Sequence, residues 1–263
     1  MRYLLLLLFL LLSLKPVRSQ IVHSESFSKL MDSSKSVKGS IVPNLEFNSQ
    51  KKDLIEFENT MDLSFTYGEH ALTIANQIEL SQYGSELLLS GGYLYMEYRN
   101  FHDNMFSLQP YNQVMWAQAR GLKFKYAAGV YGRVKLVEFS SLGLYAGTGP
   151  FYEFEKWNYE GVKEKKLPQK TGQKNKVAFK WGSYISFLWE SGYDFSFDAS
   201  IYHQSRLNEI FSEPRVAAST GLTYAVTEHV GVILQYQNIY DYDPVVPIDK
   251  LYTNVVFSID ISF

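Results

Sequence analysis

The chain has 263 residues, no cysteine and a formal net charge of −2. Zero cysteines exclude disulfide staples, thiolate metal sites, a thiol nucleophile and a cysteine-anchored lipid, and the near-neutral balance offers no global attraction to nucleic acid. Aromatic residues make up 16% and charged residues 20% at a mean hydropathy of −0.16, which excludes disorder and speaks against a bundle of membrane helices.

Met1-Arg2 is a short positive start, Tyr3 to Leu14 is almost unbroken apolar sequence, and Val17-Arg18-Ser19 resembles a small-residue cleavage site before Gln20. Residues 1–19 therefore read as a secretory signal peptide cut near Ser19. Lys15 and Pro16 stop the run short of the roughly twenty apolar residues that an anchor helix needs. Residues 20–36 are polar and Ser-rich, a flexible lead-in, and 37–263 form the folded unit.

From Asp53 to Tyr67 the odd positions read Ile55, Phe57, Asn59, Met61, Leu63, Phe65 and the even ones Glu56, Glu58, Thr60, Asp62, Ser64, Thr66. That period of two predicts a strand. Gly68-Glu69-His70 turns the chain, and Leu72, Ile74, Ile78 and Leu80 resume the pattern, making a hairpin. The alternation returns around 123–136, 177–189, 193–201 and 251–263, with weaker segments at 37–48, 87–99, 105–119, 141–157, 209–226 and 230–240. About twelve strands of roughly ten residues or more suit a bilayer crossing. A sandwich also alternates, but its strands are usually shorter. The short turns near Gly68, Phe139, Ser191 and Glu228 fall on one side, and the longest connections, 158–175 and 241–250, on the other. The chain ends with Phe257, Ile259, Ile261 and Phe263 at alternate positions, similar to the C-terminal assembly signal of outer-membrane barrels. The expected fold is all-β: a closed antiparallel transmembrane β-barrel with up-and-down connections, which seals every hydrogen-bonding edge as hydrocarbon requires.

With apolar residues facing lipid, Glu56, Glu58, Asp62 and Glu79 form an acidic lumen wall and Lys123, Lys125, Arg133 and Lys135 a basic one. Opposite signs in one narrow barrel are expected to pair across it, as a polar channel or as a network that satisfies buried charge. Gly143, Gly147 and Gly149 face inward and make room for Tyr145 and Phe151. The lysine-rich connection 158–176 is a solvated loop able to touch anionic lipopolysaccharide.

No phosphate loop, dinucleotide fingerprint or metal motif occurs, and neither cofactor nor metal is expected. His203 and Ser205 share a strand face and could act as base and nucleophile. His203-Gln204-Ser205 resembles the His-x-Ser of outer-membrane phospholipase A and lipid A deacylases. Those enzymes continue with Asn-Gly, where this chain has Arg206-Leu207, and take an orienting residue from the next strand, where this chain reads Val216-Ala217-Ala218. An unoriented histidine is a poorly specified base.

Tyr111-Asn112-Gln113, Ala119-Arg120-Gly121-Leu122, Ala128 to Arg133, Gly147 to Glu153, Arg215, and Tyr240 to Pro247 before Asp249-Lys250 occur in an order that resembles the salt-induced outer-membrane protein family, catalogued as domain of unknown function 481. The resemblance covers about three-fifths of the chain and implies a small outer-membrane barrel of undetermined activity, with no catalytic residues to transfer. The expectation is a non-enzymatic envelope protein or narrow pore whose partners are outer-membrane lipid, lipopolysaccharide and the barrel assembly machinery. The alternatives are an outer-leaflet lipid hydrolase using Ser205 and His203, and a periplasmic or surface β-sandwich that binds a ligand.

Overall fold

A computed structural model describes residues 36–49, 53–83, 85–100, 104–159, 162, 166–168, 172–191, 194–209 and 212–262. Residues 1–19, read above as a signal peptide, residues 20–35 of the expected lead-in, and Phe263 lie outside them. Twelve strands follow in order: β1 Val37–Ser49, β2 Asp53–Tyr67, β3 His70–Tyr83, β4 Glu86–Asn100, β5 Phe106–Ala117, β6 Leu122–Phe139, β7 Leu142–Trp157, β8 Lys174–Glu190, β9 Phe195–Arg206, β10 Arg215–Ala225, β11 Val230–Asp241 and β12 Leu251–Ser262. Each pairs antiparallel with its neighbours, and β12 returns to β1 through Ser40↔Ser262 and Ile41↔Ile261, so the sheet is a closed barrel.

Strand β7 shows why this sequence makes a wall. Its residues 143, 145, 147, 149, 151, 153, 155 and 157 are all buried, whereas the alternates, Leu142 through Lys156, are half-buried or exposed. The buried set contains Glu153 and Glu155 at 0–1% exposure, while outward Phe179, Ile185 and Ile201 on β8 and β9 are about 60% exposed. A water-soluble sandwich would invert this arrangement, burying the apolar face between two layers. A single closed sheet with an apolar outside and a polar inside is the arrangement of a membrane barrel.

Several boundaries differ from the sequence reading. Strand β10 starts at Arg215, not near residue 209, because Glu209 and Pro214 belong to a turn region. Strand β5 stops at Ala117, and Gln118–Arg120 form a 3-10 turn closed by Gly121 at φ 79°. Register shifts at Leu122/Phe124 and Lys135/Val137 put bulges in β6. The first removes Lys123 from the alternation: it is exposed, in contrast to its expected place in the lumen, and only Lys125 continues inward.

A twelve-stranded ring encloses more width than small aliphatic side chains fill. Large rings fill it here, and glycines let them lie against the wall. A Cβ on Gly143 would strike the Tyr145 ring, one on Gly147 the Tyr184 ring, one on Gly182 the Tyr131 ring, and one on Gly129 the Cβ of Phe151. Gly149 differs, since its missing Cβ would run into the Val130 carbonyl, which is backbone. Gly149→Ala is expected to lower stability by about 1–3 kcal/mol. Gly132→Ala, whose nearest neighbour would sit at an ordinary 3.8 Å, should leave the unfolding midpoint in detergent unchanged.

Candidate functional site: the lumen

Three layers of side chains occupy the barrel interior. At the middle, Tyr95, Tyr111, Tyr131, Tyr184 and Tyr202 follow one another at ring-centroid distances of 6.0, 5.2, 5.5 and 5.1 Å. With Ala75, Ala127, Phe151, Ala217 and Ile239 they make one buried cluster, against which Tyr252 packs. Every strand from β3 to β12 contributes to this cluster. Among the described residues, no side chain of β1 or β2 does.

Towards the end carrying the long connections lies a buried ion cluster. Lys125 Nζ is 2.8 Å from Glu153 and 3.8 Å from Glu155. Arg215 reaches Glu153 at 3.1 Å, Glu155 at 3.0 Å and Asp241 at 3.0 Å, and Lys180 donates to Glu153. Trp157 Nε1 donates to Glu155 at 3.2 Å. Strand register supplies the geometry, since Arg215 and Asp241 are direct partners at the ends of β10 and β11. Three cations face three carboxylates, so the set neutralises itself in a place where an unpaired charge would be costly. Just above, Arg120 of the 3-10 turn donates to the Tyr252 hydroxyl at 2.6 Å. Burial pulls its guanidinium down to about 10, an effect the Tyr252 contact opposes, and the group stays charged at neutral pH.

Towards the short-turn end, Glu97 accepts from the Tyr95 hydroxyl at 2.6 Å, from Arg99 at 2.8 Å and from Gln109 at 3.3 Å, while Gln109 accepts from Tyr184 at 2.7 Å. The tyrosine layer is thereby tied to a second buried polar layer.

The connection between β11 and β12 folds over part of the mouth. Val246 is buried with Met115, Ala117, Leu122 and Trp157, and Val245 and Ile248 pack beside it. Lys166 of the β7–β8 connection and two lysines at the start of β8 fasten this cap: Lys166 pairs with Asp249 at 2.9 Å, Lys176 with Asp243 at 2.9 Å, and Lys174 donates to the Val245 carbonyl at 3.5 Å. The basic loop thus has an internal counterpart that the sequence reading did not anticipate.

The other lumen charges are placed as follows. Glu56 accepts from Ser81 at 3.0 Å and Glu58 from Gln77 at 3.2 Å, both on adjacent β3. Asp62 is half-buried on the inward face of β2, and Glu79 is buried on β3 opposite Glu58. Arg133 stacks 3.9 Å above the Tyr145 ring, and Lys135 meets Glu138 at 3.0 Å. Lys125 meets its carboxylates on neighbouring β7, whereas Arg215 of β10 reaches over to the same two carboxylates from three strands away. Glu97, Arg99, Glu153, Glu155, Lys180, Arg215 and Asp241 were not among the expected lumen charges. Extending the parity of Gly147, Gly149 and Phe151 by two steps would have found Glu153 and Glu155.

Ser205 is 2% exposed, its Oγ makes no hydrogen bond, and it stands opposite Trp181, while His203 stands opposite Val216. The two side chains are not joined as base and nucleophile. Phe257, Ile259 and Ile261 are exposed on the outer face of β12. Among the described residues, no group of acidic and histidine side chains is placed to hold a metal ion.

No family profile and no characterised relative matches this chain. Similar solved structures include a KdgM porin in complex with disordered oligogalacturonate, at a TM-score of 0.46 and 8% identity over 86% of this chain and 99% of that one. A NanC porin gives 0.43 and 13% over 86% and 98%. The translocator domain of the autotransporter NalP from Neisseria meningitidis gives 0.49 and 11% over 91% and 92%.

Proposed function

We propose that this protein is an integral bacterial outer-membrane barrel acting as a narrow, off-centre pore, without enzymatic chemistry. One observation supports the pore: the buried cluster draws on β3 to β12, while several inward polar residues on β1, β2, β11 and β12 stay half-buried. These include Lys38 and Ser40 on β1, Glu58 and Asp62 on β2, Gln235 and Gln237 on β11, and Ser258 on β12. The cap's apolar contacts lie over β4 to β7, and Glu56 near the loop end of β2 remains exposed. These half-buried polar residues would line the pore, and the tyrosines fill the rest.

The motif order from Tyr111 to Lys250 supports membership of the salt-induced outer-membrane protein family. Residues 1–19 act as the cleaved export signal, residues 20–36 as the lead-in, and the C-terminal alternation as the assembly signal. The basic β7–β8 connection faces lipopolysaccharide. Purified protein in a planar bilayer is expected to show small, steady conductance, well below that of a wide water-filled porin. Silence at all voltages would leave a purely structural barrel. Fatty-acid release from phospholipid or lipid A that disappears in Ser205→Ala would restore the hydrolase reading.

A further inference from the structure

The ring closes over unequal lengths. Strand β1 pairs with β2 from Val37↔Phe65 to Ser49↔Asp53, and β12 pairs with β11 from Leu251 to Ile261. Between themselves, β1 and β12 meet at Ser40↔Ser262 and Ile41↔Ile261, at the short-turn end. Among the described residues, 42–49 of β1 and 251–260 of β12 have no strand partner across this seam. Pro43 gives the local reason. The β1–β2 register runs through Pro43↔Asn59 without a break, so the nitrogen that lacks a proton faces β12, and the ladder loses its next donor just beyond Ile41.

At about 3.3 Å per residue and a tilt of roughly 40°, the open edge of β1 covers about 20 Å of membrane depth, one leaflet with its headgroups. It runs towards the end that carries the long connections, so that leaflet is the outer one. Alternate peptide groups of both edges point into the seam, and an unpaired N–H or C=O is costly in hydrocarbon. The seam therefore calls for a ligand that both donates and accepts hydrogen bonds. Asn254, inward on β12 beside the open edge, holds a buried Oδ1 without a hydrogen-bond partner. On the outer face Leu45, Phe47, Phe257 and Ile259 stand exposed on either side, a surface that suits acyl chains. The acyl esters of a phospholipid offer acceptors and no donors, whereas the sugar hydroxyls and acyl amides of a glycolipid offer both.

We propose that the open half of the β1–β12 seam is a lateral slot for one outer-leaflet glycolipid, whose hydroxyls and amides pair with the two strand edges while its acyl chains lie on the outward apolar residues. The bound lipid completes the wall. A strand from another chain fits less well, because it would meet the same missing donor at Pro43. The slot rests on the membrane barrel and not on conduction.

The experiment is amide hydrogen exchange of the full, refolded chain in detergent, alone and with lipid A added. Alone, peptides from 44–49 and 251–260 are expected to exchange about tenfold faster than those of β7, and lipid A should slow them by a similar factor while β7 stays unchanged. Phosphatidylethanolamine at the same concentration should give no such slowing. Slow exchange before any lipid is added means that β1 and β12 pair with each other, and fast exchange at saturating lipid A means that nothing seats there; either result overturns the slot. Equal protection by phosphatidylethanolamine overturns the glycolipid assignment, and protection that grows with protein concentration alone gives the seam to a second copy instead. Leu45→Cys combined with Phe257→Cys continues the observed register in a chain without other cysteines. Once oxidised, this staple should abolish the lipid A retained in native mass spectrometry, and reduction should restore it; undiminished retention overturns the slot. Where the staple does not form, the exchange result decides. Because conductance is not measured, a barrel that proves silent in a planar bilayer leaves this outcome unaffected.

Discussion

Replacing Glu153 with glutamine is expected to destabilise the folded barrel by about 3–5 kcal/mol, the range for removing one partner from a buried charge set. Glu153 receives Lys125, Lys180 and Arg215 together, and its carboxyl is almost fully enclosed. Loss of its charge leaves three cations to Glu155 and Asp241, in a place where water cannot repay the imbalance. The measurement is the urea midpoint of the heat-modifiable band in detergent. Combining Glu153→Gln with Lys180→Met restores charge balance, and that double variant should recover more than half of the loss. A double variant whose cost is the sum of the two single costs would mean that the two residues do not form one network.

The second large effect concerns the outer surface. Val130 lies near the middle of β6, facing outward at 41% exposure. In liposomes, Val130→Arg is expected to cost about 2–4 kcal/mol, the penalty for a cation at the bilayer midplane of a barrel. Phe139→Arg, at the short-turn end of the same strand and 71% exposed, should cost no more than about 1 kcal/mol. The depth dependence is the informative part. On a water-facing surface both replacements would fall within about 0.5 kcal/mol of neutral, so equal, small costs would refute the membrane placement of this face.

Much of the architecture was legible in the chain because facing is a local property of a strand. Ile55, Phe57, Leu63 and Phe65 alternate with Glu56, Glu58, Asp62 and Ser64 whatever lies beside them, and a period of two assigns each residue to one side. The same rule placed Glu79 and Arg133, and it failed at Lys123, where an extra residue in β6 resets the parity. Bulges answer to strand pairing and curvature, which the sequence of one strand does not contain. The start of β10 was misplaced for a related reason: the backbone bonds of Glu209, Ser212 and Glu213 belong to the chain reversal after β9, which the sequence of one strand does not contain.

The sequence by itself determined that long alternating strands cross a bilayer, that polar groups line the inside, and that glycines recur where inward tyrosines need space. Only the tertiary structure decided which charges meet. Lys125 finds Glu153 and Glu155 because β7 is its neighbour, and Arg215 finds Asp241 because β10 and β11 end at the same height. The tertiary structure also decided that the rings of β4 to β9 gather into one buried layer across the lumen. The physical reason is range: alternation follows from the geometry of adjacent residues, whereas pairing and filling depend on closure of twelve strands into one ring, which sets every inward side chain opposite partners remote in the chain.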